Sequence, residues 1–220
     1  MKKSLNLLLM FIAGPLLLWG QKPEPISQSG RFGLGLRGTY NFFPGKDTFR
    51  GFGTGGQFKI GAGKKVNTEF FLDYISSNDK RNATRNDYHF GWSVQFSPFG
   101  NFGEGKFRPY FLGGQCFDFT KVAIQPVQGM AGYFAPQETP VIFSAAIQAG
   151  AGVSTFVQRD VELTLQLQYM IHLGNDVHVD YSPMVIDGTP VLVNEKRTDP
   201  AGHLIASFSV NYYFLRLWKR

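Results

Sequence analysis

The residues best equipped for chemistry lie close together late in the chain. A short stretch holds two histidines, two aspartates and a serine: His172, Asp176, His178, Asp180 and Ser182. A serine activated by a histidine and an acid needs these residue types, although such a triad depends on geometry and not on closeness in sequence. His172, His178 and Ser182 are therefore weak catalytic candidates. The plainer interpretation is an inward-facing His172 at the end of a strand, followed by ordinary polar loop residues.

Signals for other kinds of site are weaker. Asp176, His178 and Asp180 could hold a metal ion, but alternating polar residues are common in loops, so no metal site is predicted. The single cysteine, Cys116, excludes an intramolecular disulfide and a cysteine-built zinc site, and we expect it to pack in the wall of the fold. The sequence has no nucleophile elbow, HExxH motif or glycine-rich phosphate loop, so no cofactor is predicted.

The composition is that of an ordered protein rich in aromatic residues. Of 220 residues, 17% are charged and 15% are aromatic, and there are 26 glycines. An ordinary soluble domain has roughly 25% charged residues. The many aromatic side chains exclude a disordered chain. The formal charge of +6 is small and scattered, so no nucleic-acid partner is expected.

The first 20 residues predict an export signal. Lys2 and Lys3 precede an apolar run from Leu5 to Trp19, as in a secretory signal peptide, with cleavage near Gly20. A retained anchor is the alternative, but the run is short for a bilayer. No later stretch approaches the ~20 apolar residues of a spanning helix. Residues 21–30 then form a short lead-in without a fold of their own.

From Arg31 onward, apolar and polar residues alternate with a period of two, which predicts strands with one apolar face. The predicted strands lie near 31–43, 53–64, 66–76, 88–97, 107–120, 141–157, 161–173 and 203–214. The fifth has apolar residues in both registers, and a bulge at Gly113-Gly114 would reconcile them. An even number of strands suits a closed up-and-down barrel.

The connections between these strands alternate in length. The longer ones follow the first, third, fifth and seventh strands, at residues 44–52, 77–87, 121–140 and 174–202. The others lie at Lys65, 98–106 and 158–160. Short turns at one end and longer loops at the other are typical of barrels in outer membranes.

The composition of the two faces indicates which one meets lipid. A soluble barrel would carry many Lys and Glu on its polar face, but here that face holds mostly Gly, Ser, Thr, Gln and Asn. The apolar face is large, and aromatic residues gather at strand ends, as a membrane-interface girdle requires. They are Tyr40, Phe42, Tyr74, Tyr88, Tyr169, Tyr212 and Phe214. A membrane barrel is favoured over a soluble, lipocalin-like one.

The sequence resembles the OmpA/OmpX-like family of small outer-membrane proteins. The resemblance rests on the export signal, the eight alternating strands, the Arg108-Pro109-Tyr110 entry to strand five and the aromatic Phe214 in the last strand. The resemblance implies an all-β, eight-stranded antiparallel transmembrane barrel over residues 31–214. It also implies the outer membrane of a Gram-negative-type bacterium. Residues 215–220 depart from the pattern, either as a basic tail or as a strand continuing to Trp218.

An eight-stranded barrel is just wide enough for its own side chains, so a general porin is not expected. If the first hairpin is centred near residue 48, Arg37 lies opposite Lys59. Later hairpins then set Lys59 beside Glu69, and Asp73 beside His89 with a hydrogen bond. We expect Arg37, Lys59, Glu69, Asp73 and His89 to form a structural charge network that fills the interior. A gated ion path is the alternative.

The long-loop end is the predicted working surface, because its loops carry apolar residues that solvated loops rarely need: Met130, Tyr133, Phe134, Val185, Ile186, Val191 and Leu192. Val191-Leu192-Val193 could form a hairpin around Asp187-Gly188. These residues either form a lid or dock another envelope protein or extracellular ligand. We expect no enzymatic activity and a structural or interaction role, in envelope integrity, adhesion or as an accessory to a secretion or assembly complex. Since some small outer-membrane barrels modify the acyl chains of lipopolysaccharide, such an enzyme and a narrow channel remain the alternatives.

Overall fold

The computed structural model describes residues 25–42, 50–78, 83–99, 102–124, 137–138, 141–174, 176–180, 191–195 and 202–218. Their strands are β1 (Arg31–Phe42), β2 (Arg50–Gly61), β3 (Val66–Asn78), β4 (Ala83–Phe96), β5 (Phe107–Ile124), β6 (Gln137–Glu138), β7 (Ile142–Gln158), β8 (Val161–Leu173), β9 (Asp176–Asp180), β10 (Val191–Glu195) and β11 (Gly202–Arg216). No helix in this part of the chain has the length and apolar character needed to cross a membrane.

The long strands close into one barrel. They pair in the order β1, β2, β3, β4, β5, β7, β8 and β11, and β11 pairs back with β1. Every pair is antiparallel. The predicted eight-stranded antiparallel up-and-down barrel is confirmed. Closure leaves no unpaired edge among these strands, so their backbone groups can be satisfied inside a bilayer.

The barrel has two different ends. The lower end carries the turns 62–65, 97–106 and 159–160, together with residues 25–30 and the end of β11. The upper end carries the connections 43–49, 79–82, 125–141 and 174–201. Beside the upper end, β9 and β10 form a separate antiparallel hairpin that pairs Asp180 with Val191.

Several strand limits differ from the prediction. β2 spans Arg50–Gly61, not 53–64, because the turn to β3 needs residues 62–65 and a single Lys65 cannot close a hairpin. β4 begins at Ala83, so the third connection is residues 79–82 and not 77–87. The sequence pattern missed the start of β4 because its outward residues there, Thr84 and Asn86, are polar. The third connection is thus shorter than the 97–106 turn below.

The fifth strand has no bulge at Gly113-Gly114. Its pairing with β4 is continuous from Phe111 to Ile124, and its pairing with β7 is continuous from Phe107 to Thr120. Both registers of this strand are apolar for another reason: its inward face carries Tyr110, Leu112 and Cys116, all buried. The prediction of a register change was therefore wrong.

The lead-in and the end of the last strand close the lower end. Ile26 forms a backbone bridge with Phe102, and its side chain packs with Phe156 and Tyr213. The last strand runs to Arg216, two residues beyond Phe214, and the Leu217 backbone N–H donates to the Gly30 carbonyl at 2.6 Å. The predicted tail 215–220 therefore begins within a strand, and the lead-in contributes to the packed lower end.

Candidate functional site

The outer surface of the barrel is an apolar band. Leu36 is 78% exposed and Phe52 is 76% exposed, values that a soluble protein rarely shows for large apolar side chains on a strand. Aromatic residues form contacts around it, as in the Tyr74–Tyr88 and Phe58–Phe70 ring pairs, with centroids 5.0 and 4.7 Å apart. This surface is stable only against lipid.

The interior is the reverse of the exterior. Buried side chains from all eight strands are mainly polar or charged, and alternate residues of β4 and β8 are buried in register with their neighbours. The barrel therefore turns its polar face inward and its apolar face to the membrane. The prediction that small polar residues line the interior holds, with a group of ionisable side chains added among them.

Arg37 lies at the centre of one buried group. Its guanidinium donates to Glu69 at 3.0 Å, and its Nε lies 3.1 Å from Asp73 Oδ1. It also lies over the ring of Phe71, 4.3 Å from the centroid. Each of these side chains is almost wholly buried. The guanidinium fork thus holds two carboxylates from β3 without access to water.

The register that produces this contact differs from the prediction. Arg37 lies opposite Gly55, and Lys59 lies opposite Gly33, because the first hairpin turns earlier than expected. Gly55 lets the Arg37 side chain cross β2 to reach β3, since a Cβ at this position would collide with the Asp73 carboxylate. The predicted pairing of Arg37 with Lys59 is therefore wrong.

Lys59 takes a different partner from the one expected. It does lie beside Glu69 in the β2–β3 register, but its ammonium donates to Glu162 Oε2 on β8, across the interior, at 3.0 Å. The same carboxylate oxygen accepts a hydrogen bond from the Tyr213 hydroxyl at 2.8 Å. Glu69 accepts instead from Arg37 and from Gln95. We call Arg37, Lys59, Glu69, Asp73 and Glu162 the lower network.

The interior also holds a group of apolar side chains, which we call the apolar layer. It consists of buried side chains from five strands: Phe71, Ile75, Cys116, Ala146, Met170 and Ile205. Cys116 faces this interior layer and is 1% exposed, so it lies inside the barrel and not in the outer wall. Gly91, opposite Phe71 on β4, makes room for the ring, since a Cβ there would collide with it.

A second group of ionisable side chains lies nearer the upper end. It comprises inward residues of β4, β5, β8 and β11: Arg85, Asp87, His89, Asp118, His172 and His203, which we call the loop-end cluster. Arg85 Nε donates to both oxygens of Asp87, at 2.9 and 3.1 Å. His89 Nε2 lies 3.4 Å from Asp118 Oδ1. His89 is adjacent to Asp73 in register, but its ion-pair partner is Asp118, and the predicted hydrogen bond with Asp73 is not found.

His172 joins the cluster to a serine. Its Nδ1 lies 3.0 Å from Ser144 Oγ and 3.5 Å from Asp118 Oδ2, and its Nε2 lies 3.0 Å from His203 Nδ1. His172 thus faces inward near the rim, as the plainer interpretation expected. A serine beside a histidine is a partial nucleophilic arrangement, although it uses Ser144 and not Ser182.

Several predicted residues cannot be placed in either group. Ser182 and five of the loop residues lie outside the described residues: Met130, Tyr133, Phe134, Val185 and Ile186. For His178, Val191 and Leu192 only the backbone is described, in the β9–β10 hairpin. A hairpin involving Val191-Leu192-Val193 is present, and the Asp187-Gly188 turn lies outside the described residues.

Comparisons with known proteins give the same architecture. No protein-family model matches the sequence, and no curated protein is significantly similar to it. Among solved structures, a major outer-membrane protein of Thermus thermophilus aligns with a TM-score of 0.55 and 10% identity, covering 83% of this chain and 99% of that one. Neisserial surface protein A aligns with a TM-score of 0.50 and 14% identity, over 83% and 97%. OprG of Pseudomonas aeruginosa aligns with 0.50 and 14%, over 85% and 98%.

The chain has the fold of the OmpA/OmpX-like outer-membrane barrels. Together with the apolar exterior and the polar, charged interior, this fold places the protein in an outer membrane. At such low identity the likeness concerns the fold, and the two buried groups have to be interpreted from their own geometry.

Most residues of the loop-end cluster were not predicted from the sequence. Along each strand, inward and outward residues alternate, and Asp87, Asp118 and His203 all lie at inward positions. Continuing this alternation along the strands would have placed them inside the barrel. Their convergence depends on the stagger of strands that are distant in the chain. Glu162 was missed for the same reason, because its contact with Lys59 joins residues from opposite sides of the barrel.

Proposed function

We propose that the protein is a closed outer-membrane anchor with a structural or protein-interaction role, exercised at its upper end. Such roles include envelope integrity, adhesion and service as an accessory to a secretion or assembly complex. The membrane lipid surrounds the barrel, and the partner is another envelope protein or an extracellular ligand. The observation that carries this proposal is the filled interior, which leaves the exposed ends as the surfaces available for function.

Side chains packed along the whole interior support a barrel that does not conduct. Ile26, Phe156 and Tyr213 pack at the lower end, and the lower network, the apolar layer and the loop-end cluster fill the interior above them. Substituting Arg37→Met removes the largest cation from the centre. We expect no new conductance in planar bilayers, because the other buried side chains still fill the interior. A large, stable conductance in this variant would instead favour the gated-channel alternative.

The β9–β10 hairpin supports the choice of the upper end. Its strands pair with one another from Asp176–Glu195 to Asp180–Val191, outside the barrel sheet. Within the described residues neither strand pairs with a third, and the edge of such a ribbon can add a strand from a partner. The hairpin therefore offers a binding edge that the closed barrel itself lacks.

Site-specific photo-crosslinking in intact cells tests this proposal. A crosslinking residue at Leu192 on β10 is compared with one at Lys64, in the β2–β3 turn of the opposite end. We expect a discrete protein adduct, or crosslinking to an added extracellular ligand, from Leu192 and not from Lys64. If neither position forms an adduct and deleting residues 184–193 leaves envelope integrity and adhesion unchanged, the proposed role is wrong.

A lipid-modifying enzyme is the second candidate, because Ser144 Oγ and His172 Nδ1 lie 3.0 Å apart. Against it, Ser144 is 8% exposed and faces the interior, where an acyl ester in the membrane does not reach it. Pure protein is incubated with lipopolysaccharide, and acyl-chain release is followed by mass spectrometry. We expect no turnover. Release that is lost in both Ser144→Ala and His172→Ala would establish the enzyme.

A further inference from the structure

The loop-end cluster brings together side chains that commonly bind metal ions. Asp87, His89 and Asp118 each have a ligand atom within 4.8 Å of those of the other two. Asp87 and His89 are fully buried, and Asp118 is 1% exposed. The three residues come from neighbouring strands, since His89 pairs directly with Asp118 in the β4–β5 register. Imidazole nitrogen and carboxylate oxygen together suit zinc and related divalent ions.

The spacing of these groups is wider than that of a hydrogen-bonded network. Within the described part of the chain, neither ring nitrogen of His89 and neither oxygen of Asp118 has a hydrogen-bond partner. His89 Nε2 and His172 Nδ1 lie 3.4 and 3.5 Å from the two Asp118 oxygens. Around a tetrahedral ion with bonds of 2.0–2.1 Å, neighbouring ligand atoms are about 3.3 Å apart. The separation of His89 Nε2 from Asp118 Oδ1 therefore matches a ligand-to-ligand distance.

The net charge of the cluster also favours the binding of a cation. When the histidines are neutral, as metal ligation requires of His89, Asp87 and Asp118 carry two negative charges and the adjacent Arg85 supplies one positive charge. Buried, uncompensated charge is costly, so an additional cation would stabilise the group. A divalent ion would be held most favourably near Asp118, whose oxygens lie farther from Arg85 than those of Asp87.

Residues around these ligands are arranged to orient them. The Thr120 hydroxyl donates to Asp87 Oδ1 at 2.7 Å, and the His172 ring, held by Ser144 and His203 at 3.0 Å, lies 3.5 Å from Asp118 Oδ2. In metal sites, such outer contacts fix the orientation of the ligating side chains and raise affinity. The cluster therefore has a supporting shell as well as candidate ligands.

We propose that the loop-end cluster is a binding site for a divalent transition-metal ion, with Asp87, His89 and Asp118 as ligands. Zn²⁺ is the ion whose preferred donors and bond lengths fit best. The site faces the upper end of the barrel, so the ion would enter from outside the membrane. This inference is independent of the role proposed for the hairpin.

The test uses untagged full-length mature protein, folded in detergent and freed of metal with a chelator. Zn²⁺ is titrated by calorimetry, and Co²⁺ is used as a spectroscopic probe of the ligand set. We expect one ion per barrel. Asp118→Asn and His89→Gln should each lower the affinity on the order of 100-fold or more. His89→Gln preserves the approximate size of the side chain, so it serves if Asp118→Asn fails to fold.

Two variants control for binding elsewhere. Glu69→Gln changes a buried carboxylate of the lower network, and His178→Ala removes a histidine of the hairpin. Both should bind Zn²⁺ like the wild type. The proposal is overturned if the wild type takes up no Zn²⁺ at millimolar concentration. It is equally overturned if folded His89→Gln binds unchanged, or if His178→Ala is the variant that loses the ion.

Discussion

In the lower network, Lys59 and Arg37 each have carboxylate oxygens within 3.1 Å, whereas His89 and Asp118 in the loop-end cluster lie 3.4 Å apart. Both groups are buried in the same barrel. Each carboxylate of the lower network has a Lys or Arg nitrogen within 3.1 Å, as expected of a structural plug. In the loop-end cluster, the nitrogens of Arg85, His89 and His172 lie 3.9, 3.4 and 3.5 Å from the Asp118 oxygens. The two groups are equally buried, but their oppositely charged atoms lie at different distances.

The largest expected effect comes from breaking the lower network at Lys59. Lys59→Met leaves Glu162 charged, buried and without its cation, so it should destabilise the barrel by about 3–5 kcal/mol. The double variant Lys59→Met, Glu162→Gln should recover most of this loss while keeping an acceptor for Tyr213. Urea unfolding in detergent or lipid measures both. A single variant as stable as the wild type would show that this network is not structural.

A smaller effect is expected in the apolar layer. Gly91→Ala places a methyl group against the Phe71 ring, and overpacking of this kind costs about 1–3 kcal/mol. Replacing Phe71 with Leu in the same chain should relieve part of the loss. The same unfolding assay applies, and full stability of the single variant would mean that Phe71 repacks without cost.

Neutralising a carboxylate of the loop-end cluster should lower the free energy of unfolding less than breaking the lower network does. Without added metal, Asp118→Asn removes loosely spaced ion pairs with His89 and His172, so we expect a loss of roughly 1–2 kcal/mol. Added Zn²⁺ should stabilise the wild type and not this variant. A loss as large as that of Lys59→Met would remove the contrast between the two groups.

The smallest effect is expected at an ion pair that water reaches. Arg31 contacts Asp160 at 2.5 Å, but the Asp160 side chain is 53% exposed. Asp160→Asn should therefore change the stability by only about 0.2–1 kcal/mol, and less at high salt. Comparison with Lys59→Met separates the contribution of burial from that of the ion pair itself. An equally large loss in both variants would contradict that separation.

The alternation of residues was sufficient to predict the barrel, the number of its long strands and the face that meets lipid. Successive side chains of a strand point to opposite faces. The position of a residue in this alternation therefore determines whether it faces lipid or the interior, as for the outward Leu36 and the inward Arg37. Strand limits were wrong where polar side chains such as Asn86 continue a strand beyond the apolar band. In β5, Tyr110 and Cys116 made both faces apolar and suggested a bulge that is not there.

The partners inside the barrel were decided by the tertiary structure. An error of a few residues in one hairpin moved Arg37 from Lys59 to Gly55, and the alternation could not reveal it because both positions face inward. Contacts across the interior, such as Lys59 with Glu162 or Asp118 with His172, depend on the stagger and closure of the whole sheet. The local period of the sequence determines the side of the wall, but only the closed barrel determines which inward groups meet.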